Sequence, residues 1–195
     1  MNYAKAETLT GAVLAPLDWV KSVALVVAFS LFIALSAQVV VPLPFTPVPI
    51  TLQTFAVLLT GALLGSRLGT LALLAYLAEG AAGLPFFRGG NGGWLYLMVS
   101  PTAGYLLAYP VAAFVTGWLA ERGWDRRFLT AAAAIAVGST VILFGGWLGL
   151  LRFYPATQAF ALGVAPFVVG DVLKVALAAA ALPSGWRLIK GGRVK

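Results

Sequence analysis

Long charge-free apolar runs leave this chain few ways to fold. The first, Val23 to Val41, contains no charged residue. A helix that crosses a bilayer needs about 20 predominantly apolar residues. Backbone polar groups in hydrocarbon must be satisfied inside a helix or a closed barrel. Of the 195 residues, 61% are hydrophobic and 10% charged, against about 25% charged in soluble domains. The expected fold is therefore an all-α integral membrane protein, one transmembrane domain over residues 1–195 with six transmembrane helices. The apolar core of a secretory signal is only about 7–15 residues, so the first run reads as a membrane helix and not as a leader.

Breakers set the boundaries. Pro42, Pro44, Pro47 and Pro49 forbid a helix and make Pro42 to Ile50 an extended, uncharged loop. Gly65-Ser66-Arg67-Leu68-Gly69 is a tight turn. Gly80 to Thr102 is rich in glycine and holds Pro85 and Pro101. Structureless loops of that length are usually functional or disordered, and Phe86, Phe87, Trp94 and Tyr96 argue against disorder. Glu121 to Arg127 is a charged turn, and Pro166 suits the first turn of a helix. Spans are expected at about 19–41, 51–64, 68–78, 103–119, 128–151 and 166–183, with a short helix after Pro155.

Basic residues collect in loops that stay in the cytoplasm. With both termini inside, the inner segments hold Lys5, Lys21, Arg67, Arg122, Arg126, Arg127, Arg187, Lys190, Arg193 and Lys195, against Arg88 and Arg152 outside. The net charge of +7 thus follows from topology and implies no nucleic acid. With no His and no Cys, imidazole and thiol chemistry and the usual zinc sites are excluded, and no enzyme is expected. No G-x-x-x-x-G-K-[ST] segment occurs, so the chain does not carry that ATP site.

Lys174 is the remaining basic residue, and with Asp171 it lies within the last span. A charge in hydrocarbon costs roughly 2.5–3.5 kcal/mol on insertion scales. Two opposite charges three residues apart share a helix face. The pair reads either as a ligand or ion site, or as an intramembrane salt bridge that only fixes packing. The orientation puts it near the outer surface, with the proline-rich and glycine-rich loops. The three together imply a small covered pocket open to the exterior, suited to a mostly apolar ligand with one or two polar groups.

Several residues could contribute. Asp171 can accept from ligand N–H groups, and Lys174 can neutralise Asp171 or meet a ligand carboxylate. Asn91, between paired glycines, is a turn residue or a ligand amide. Gln53 is a helix cap or a pocket amide. Tyr76, Trp94 and Tyr105 offer flat faces with polar tips, or are membrane-interface anchors. Ala24 and Ala28 place two small side chains on one face of the first span, either for packing within the chain or for close approach by another helix.

The run Thr46-Pro-Val-Pro-Ile-Thr-Leu-Gln53-Thr-Phe-Ala-Val-Leu-Leu-Thr-Gly-Ala-Leu-Leu-Gly65 strongly resembles BioY proteins, the biotin-binding substrate-capture (S) components of energy-coupling factor (ECF) transporters. The likeness continues through Leu77-Ala-Glu-Gly-Ala-Ala-Gly-Leu-Pro85, Ser100-Pro-Thr-Ala-Gly-Tyr105 and Gly163-Val-Ala-Pro-Phe-Val-Val-Gly-Asp171-Val-Leu-Lys174. Family members commonly have Gly-Pro-Thr-Gly-Gly where this chain has Ser100-Pro-Thr-Ala-Gly. The resemblance implies an S-component bundle in a bacterial or archaeal cytoplasmic membrane, capturing biotin from outside and delivering it to the cytoplasm. It implies that Asp171 and Lys174 are the family's D-x-x-K pair and that Asn91 matches a biotin-contacting amide. It also implies that Ala24 and Ala28 form an A-x-x-x-A docking motif for a transmembrane coupling subunit linked to two cytoplasmic ATPases. No cofactor is implied, since ATP would bind only to the partners. The competing expectations are a stand-alone carrier with Asp171 as a proton site, and the same fold specific for another vitamin.

Overall fold

The computed structural model describes residues 8–192. Lys5, Arg193 and Lys195 lie outside the described residues, as does the side chain of Lys190. The chain is mainly helical: α1 (Leu9–Leu14), α2 (Trp19–Ser36), α3 (Gln53–Ala81), α4 (Trp94–Val99), α5 (Ala103–Ala120), α6 (Phe128–Leu150), α7 (Ala156–Gly163) and α8 (Ala165–Gly192). Its two short strands, β1 (Val40–Val41) and β2 (Ile50–Thr51), pair antiparallel, with Val40 opposite Thr51. Among the described residues, five helical stretches are long and apolar enough to cross a membrane.

The second and third expected spans form one element, α3, folded in two at Gly65. There φ is 85°, which a side chain would strain, and a Cβ would lie 2.5 Å from the Glu121 carboxylate. The reversal is visible in the contacts of the two arms. Gln53 Nε2 donates to Tyr76 Oη at 2.6 Å, whereas an unbroken helix would hold these residues about 34 Å apart at 1.5 Å per residue. The second arm starts on Glu121, whose Oε1 accepts from the backbone N–H of Ser66 at 2.7 Å and from its hydroxyl at 2.9 Å. A carboxylate there satisfies an otherwise orphaned N–H at a positive helix end.

From this hairpin the bundle grows outward. α3 packs most extensively on α5, α5 on α6, α2 on α3, and α6 on α8. Glycine lets α5 and α6 close up, for a Cβ on Gly104 would sit 2.3 Å from the Gly145 carbonyl. Other boundaries also differ from expectation. The first helix stops at Ser36, because Val40 and Val41 pair with Ile50 and Thr51. The irregular segment between the third and fourth spans contains α4. The last helix continues through Pro183 to Gly192. A proline forfeits one helical hydrogen bond, but Leu182 and Trp186 on either side of it are buried and hold the helix in place. The lead-in also forms a short helix, α1, capped by the Thr8 hydroxyl.

Candidate functional site

The Gly65 reversal meets Glu121, so those two turns share one end of the bundle. The starts of α3, α5 and α8 meet at the other. A cavity there is lined by Gln53 and Thr54 of α3, by Thr102 just before α5 and Tyr105, Leu106 and Tyr109 within it, by Ile142 and Leu143 of α6, and by Phe167, Asp171 and Lys174 of α8. Val48 and Pro49 of the proline-rich loop, Thr51 of β2 and Arg88 of the glycine-rich loop complete it.

At its wall, Lys174 Nζ lies 3.5 Å from Asp171 Oδ1 and donates to Thr54 Oγ1 at 2.6 Å. The Ser139 hydroxyl of α6 donates to Asp171 Oδ2. The pair therefore joins three helices. Both side chains keep some exposure, 15% for Lys174 and 13% for Asp171, so it is neither sealed nor lipid-facing. The ammonium has further donors and the carboxylate further lone pairs.

The loops over the cavity are tied to each other. Arg88 donates through Nε to Tyr96 Oη at 3.0 Å and through Nη2 to the Pro47 carbonyl at 3.4 Å. Gln38 Oε1 accepts from Gly90 N at 2.8 Å. The Thr46 hydroxyl donates to the Leu162 carbonyl at 2.7 Å, fastening the proline-rich loop to α7. Beneath this cover the cavity measures about 40 Å³, room for a few waters and far below the roughly 300–1,000 Å³ of a small-molecule site. A vitamin enters only if the loops or side chains yield.

The sequence-derived residues divide. Asp171, Lys174, Gln53 and Tyr105 line the cavity. The Tyr105 hydroxyl is committed to the Gly163 carbonyl at 2.5 Å, which leaves its ring for the cavity. Gln53 makes no cap; its amide is held by Tyr76 and by Tyr109, whose Oη donates to Oε1 at 3.4 Å. Tyr76 is fully buried behind the lining, donates to the Phe86 carbonyl and packs edge-on against Phe87, so it supports Gln53 and does not face the cavity. Asn91 lies outside the lining, exposed, its amide donating to the Arg88 carbonyl at 2.8 Å; this is the turn role of Asn. Trp94 is 64% exposed, also outside the lining.

Ala24 and Ala28 are exposed on α2, on a face shared with Val20, Val27 and Leu31, a face that the described residues leave largely uncovered. Sequence reasoning missed Arg88, Thr54, Ser139, Tyr109 and Phe167 as lining or wall residues. Arg88 alone had a signal, as one of two basic residues in the outer loops. Among the described residues no group of three His, Cys, Asp or Glu side chains forms a metal cluster.

A helical membrane bundle with a covered, charged cavity at one end defines a class of small-molecule capture or transport proteins. Residues 5–191 match the model of the BioY family, and the chain belongs to that family. It is 42% identical over 158 residues to the probable biotin transporter BioY of Pyrococcus horikoshii, covering 81% of this chain and 91% of that protein. It is 38% identical over 159 residues to the biotin transporter BioY of Rhizobium etli, covering 77% and 84%. A solved structure, the S-component for biotin from an ECF-type ABC transporter, superposes with a TM-score of 0.77 at 28% identity, covering 88% of this chain and 92% of that one. These relatives are transporters, and the family's activity is transport and not catalysis.

Proposed function

We propose that this chain is the biotin-capturing S component of an ECF transporter, with its cavity open to the exterior of a bacterial or archaeal cytoplasmic membrane. The observation that carries the reading is the charge of the lining. Arg88 and Lys174 against Asp171 leave one positive charge in a cavity otherwise lined by apolar, aromatic and a few uncharged polar side chains such as Gln53 and Thr102. That suits a largely apolar ligand with one carboxylate. Biotin has that composition. Its ureido ring offers two N–H donors and a carbonyl, its thioether ring and valeryl chain are apolar, and its carboxylate carries one charge. Asp171 accepts from the ureido N–H groups, while Lys174 or Arg88 meets the carboxylate. The names of the relatives support the choice of vitamin. Asn91 and Trp94 would join the site only if the glycine-rich loop rearranged on capture.

The exposed face around Ala24 and Ala28 is the surface offered to a transmembrane coupling subunit. Small side chains there let a partner helix approach closely. Two cytoplasmic ATPases attached to that subunit supply the energy for delivery, with both termini of this chain on their side of the membrane.

Titration of the purified chain with biotin, thiamine and riboflavin, by heat of binding or tryptophan fluorescence, tests the reading. Tight binding of biotin alone is expected, with a loss of about 2–5 kcal/mol of binding in Asp171→Asn and in Lys174→Ala, as when one partner of a desolvated charge pair at a binding site is truncated. Unchanged affinity in both folded variants rejects the site. Uptake into proteoliposomes without ATP or partners would make the chain a stand-alone carrier instead.

A further inference from the structure

At the end of the bundle opposite the cavity, a groove of about 400 Å³ runs between the start of α6 and the last turns of α8. Its polar rim is Arg126 and Arg127 of the charged turn, with Ser184 and Arg187 of α8. Its floor is apolar, formed by Phe128, Ala179, Ala180 and Pro183. The three guanidinium groups come from two elements far apart in sequence, so their convergence is a property of the fold.

Among the described residues no carboxylate lines the groove, although the Arg126 charge acts on nearby Asp125. The nearby carboxylates are engaged elsewhere, Glu121 by Ser66 and Asp125 by the indole N–H of Trp186. Neither lines the groove. Arg126 lies over the Trp186 ring at 4.8 Å. Among the described residues the guanidinium groups of Arg127 and Arg187 have no hydrogen bond or ion pair. α6 starts at the groove with no side-chain cap and no acidic residue in its first turn, so its N-terminal dipole adds to the positive field.

We propose that this groove binds the headgroup of an anionic phospholipid, with the acyl chains lying along the apolar floor. The floor favours a lipid over a free anion, because an ion has no use for Phe128, Ala180 or Pro183. The flanking side chains Leu129 and Leu188 are highly exposed, so the floor continues into the lipid-facing surface. Basic pockets between helices at the cytoplasmic face bind acidic headgroups for these reasons. Arg127 and Arg187 are the contacting residues; Arg126 mainly packs on Trp186.

Native mass spectrometry of the whole chain in mild detergent tests this, with phosphatidylglycerol and phosphatidylcholine of matched acyl chains. The parent should retain phosphatidylglycerol selectively. The Arg127→Gln/Arg187→Gln double variant should bind it roughly thirty-fold more weakly, equivalent to about 1 kcal/mol for each guanidinium group lost. Arg152→Gln, at the opposite end, should bind it as the parent does. Retained biotin binding in the double variant confirms its fold. Should the double variant not fold, Arg187→Gln alone carries the test, with about five-fold weaker binding expected. Equal retention of both lipids by the parent, undiminished phosphatidylglycerol binding by the folded variants, or displacement of the lipid by millimolar inorganic phosphate would each overturn the proposal.

Discussion

The two ends of the bundle handle their acidic groups in opposite ways. At the cavity end, Asp171 shares its charge with Lys174 and Ser139 but still faces open space. At the far end, Glu121 is spent on Ser66, and Asp125, 1% exposed, is clamped by Trp186 at 2.6 Å. Buried polar groups are nearly always partnered. Where capacity is left over beside a cavity, the leftover is available to a ligand; where it is sealed away from any cavity, as is the unpartnered Oδ1 of Asp125, the group serves the fold. The distinction predicts that mutations at the two ends separate affinity from stability.

The largest effect should come from Lys174→Ala. Asp171 then keeps only the Ser139 hydroxyl, and Thr54 loses its donor. Biotin affinity should fall by about 2–5 kcal/mol, as when one partner of a desolvated charge pair at a binding site is truncated, while the thermal midpoint moves much less, since the exposed edge of the site can take up water. A large fall in the midpoint with unchanged affinity would erase the contrast. Glu121→Ala is the converse. It removes a charged acceptor from the N–H and hydroxyl of Ser66 and should cost about 2 kcal/mol of stability, read by thermal or denaturant unfolding. Biotin binding to the remaining folded protein should be unchanged.

The same contrast explains what the sequence could reveal. Charge-free runs and breakers are local, so the starts of the long helices were legible to within a few residues. So was the covered end, because Asp171, Lys174 and both loops are conspicuous in an apolar chain. Ser139 and Thr54 were not legible, since a hydroxyl inside an apolar helix carries no signal until another helix brings a charge to it. Asn91 stayed ambiguous in the sequence because a glycine-flanked amide reads equally as turn or ligand; in the structure it donates to the Arg88 carbonyl. The continuation past Pro183 was hidden because burial of Trp186, not local propensity, decides it. Asp125 gave no hint of its burial, which depends on α8 returning to the charged turn.

A smaller effect tests the cover. Arg88→Gln removes the charge that ties the glycine-rich loop to Tyr96 and to the Pro47 carbonyl. Each such bond is worth about 1 kcal/mol. Stopped-flow tryptophan fluorescence should show biotin leaving up to roughly thirty-fold faster with both bonds lost, by that measure, with little change in the thermal midpoint. If release were unchanged, the cover would be held by Thr46 and Gln38 and not by Arg88.

The smallest effect belongs to Asp125, where only the pH dependence discriminates. Burial pushes its carboxyl above the ordinary value, against the hydrogen bond from Trp186 and the Arg126 charge, which pull it down. The folded protein thus holds this proton to a higher pH than the unfolded chain does. Stability from this group is complete below the ordinary carboxylate value of about 3.9 and is lost as pH rises through the raised one. Asp125→Asn keeps an oxygen for the indole N–H but never has to bury a charge. Its unfolding free energy should stay within about 1 kcal/mol of the parent at neutral pH and lose the parent's decline across that interval. A parent that instead gains stability with rising pH there, with the gain abolished in Asp125→Asn, would mean that the Arg126 charge outweighs burial and that this end, too, stabilises an exposed-like anion.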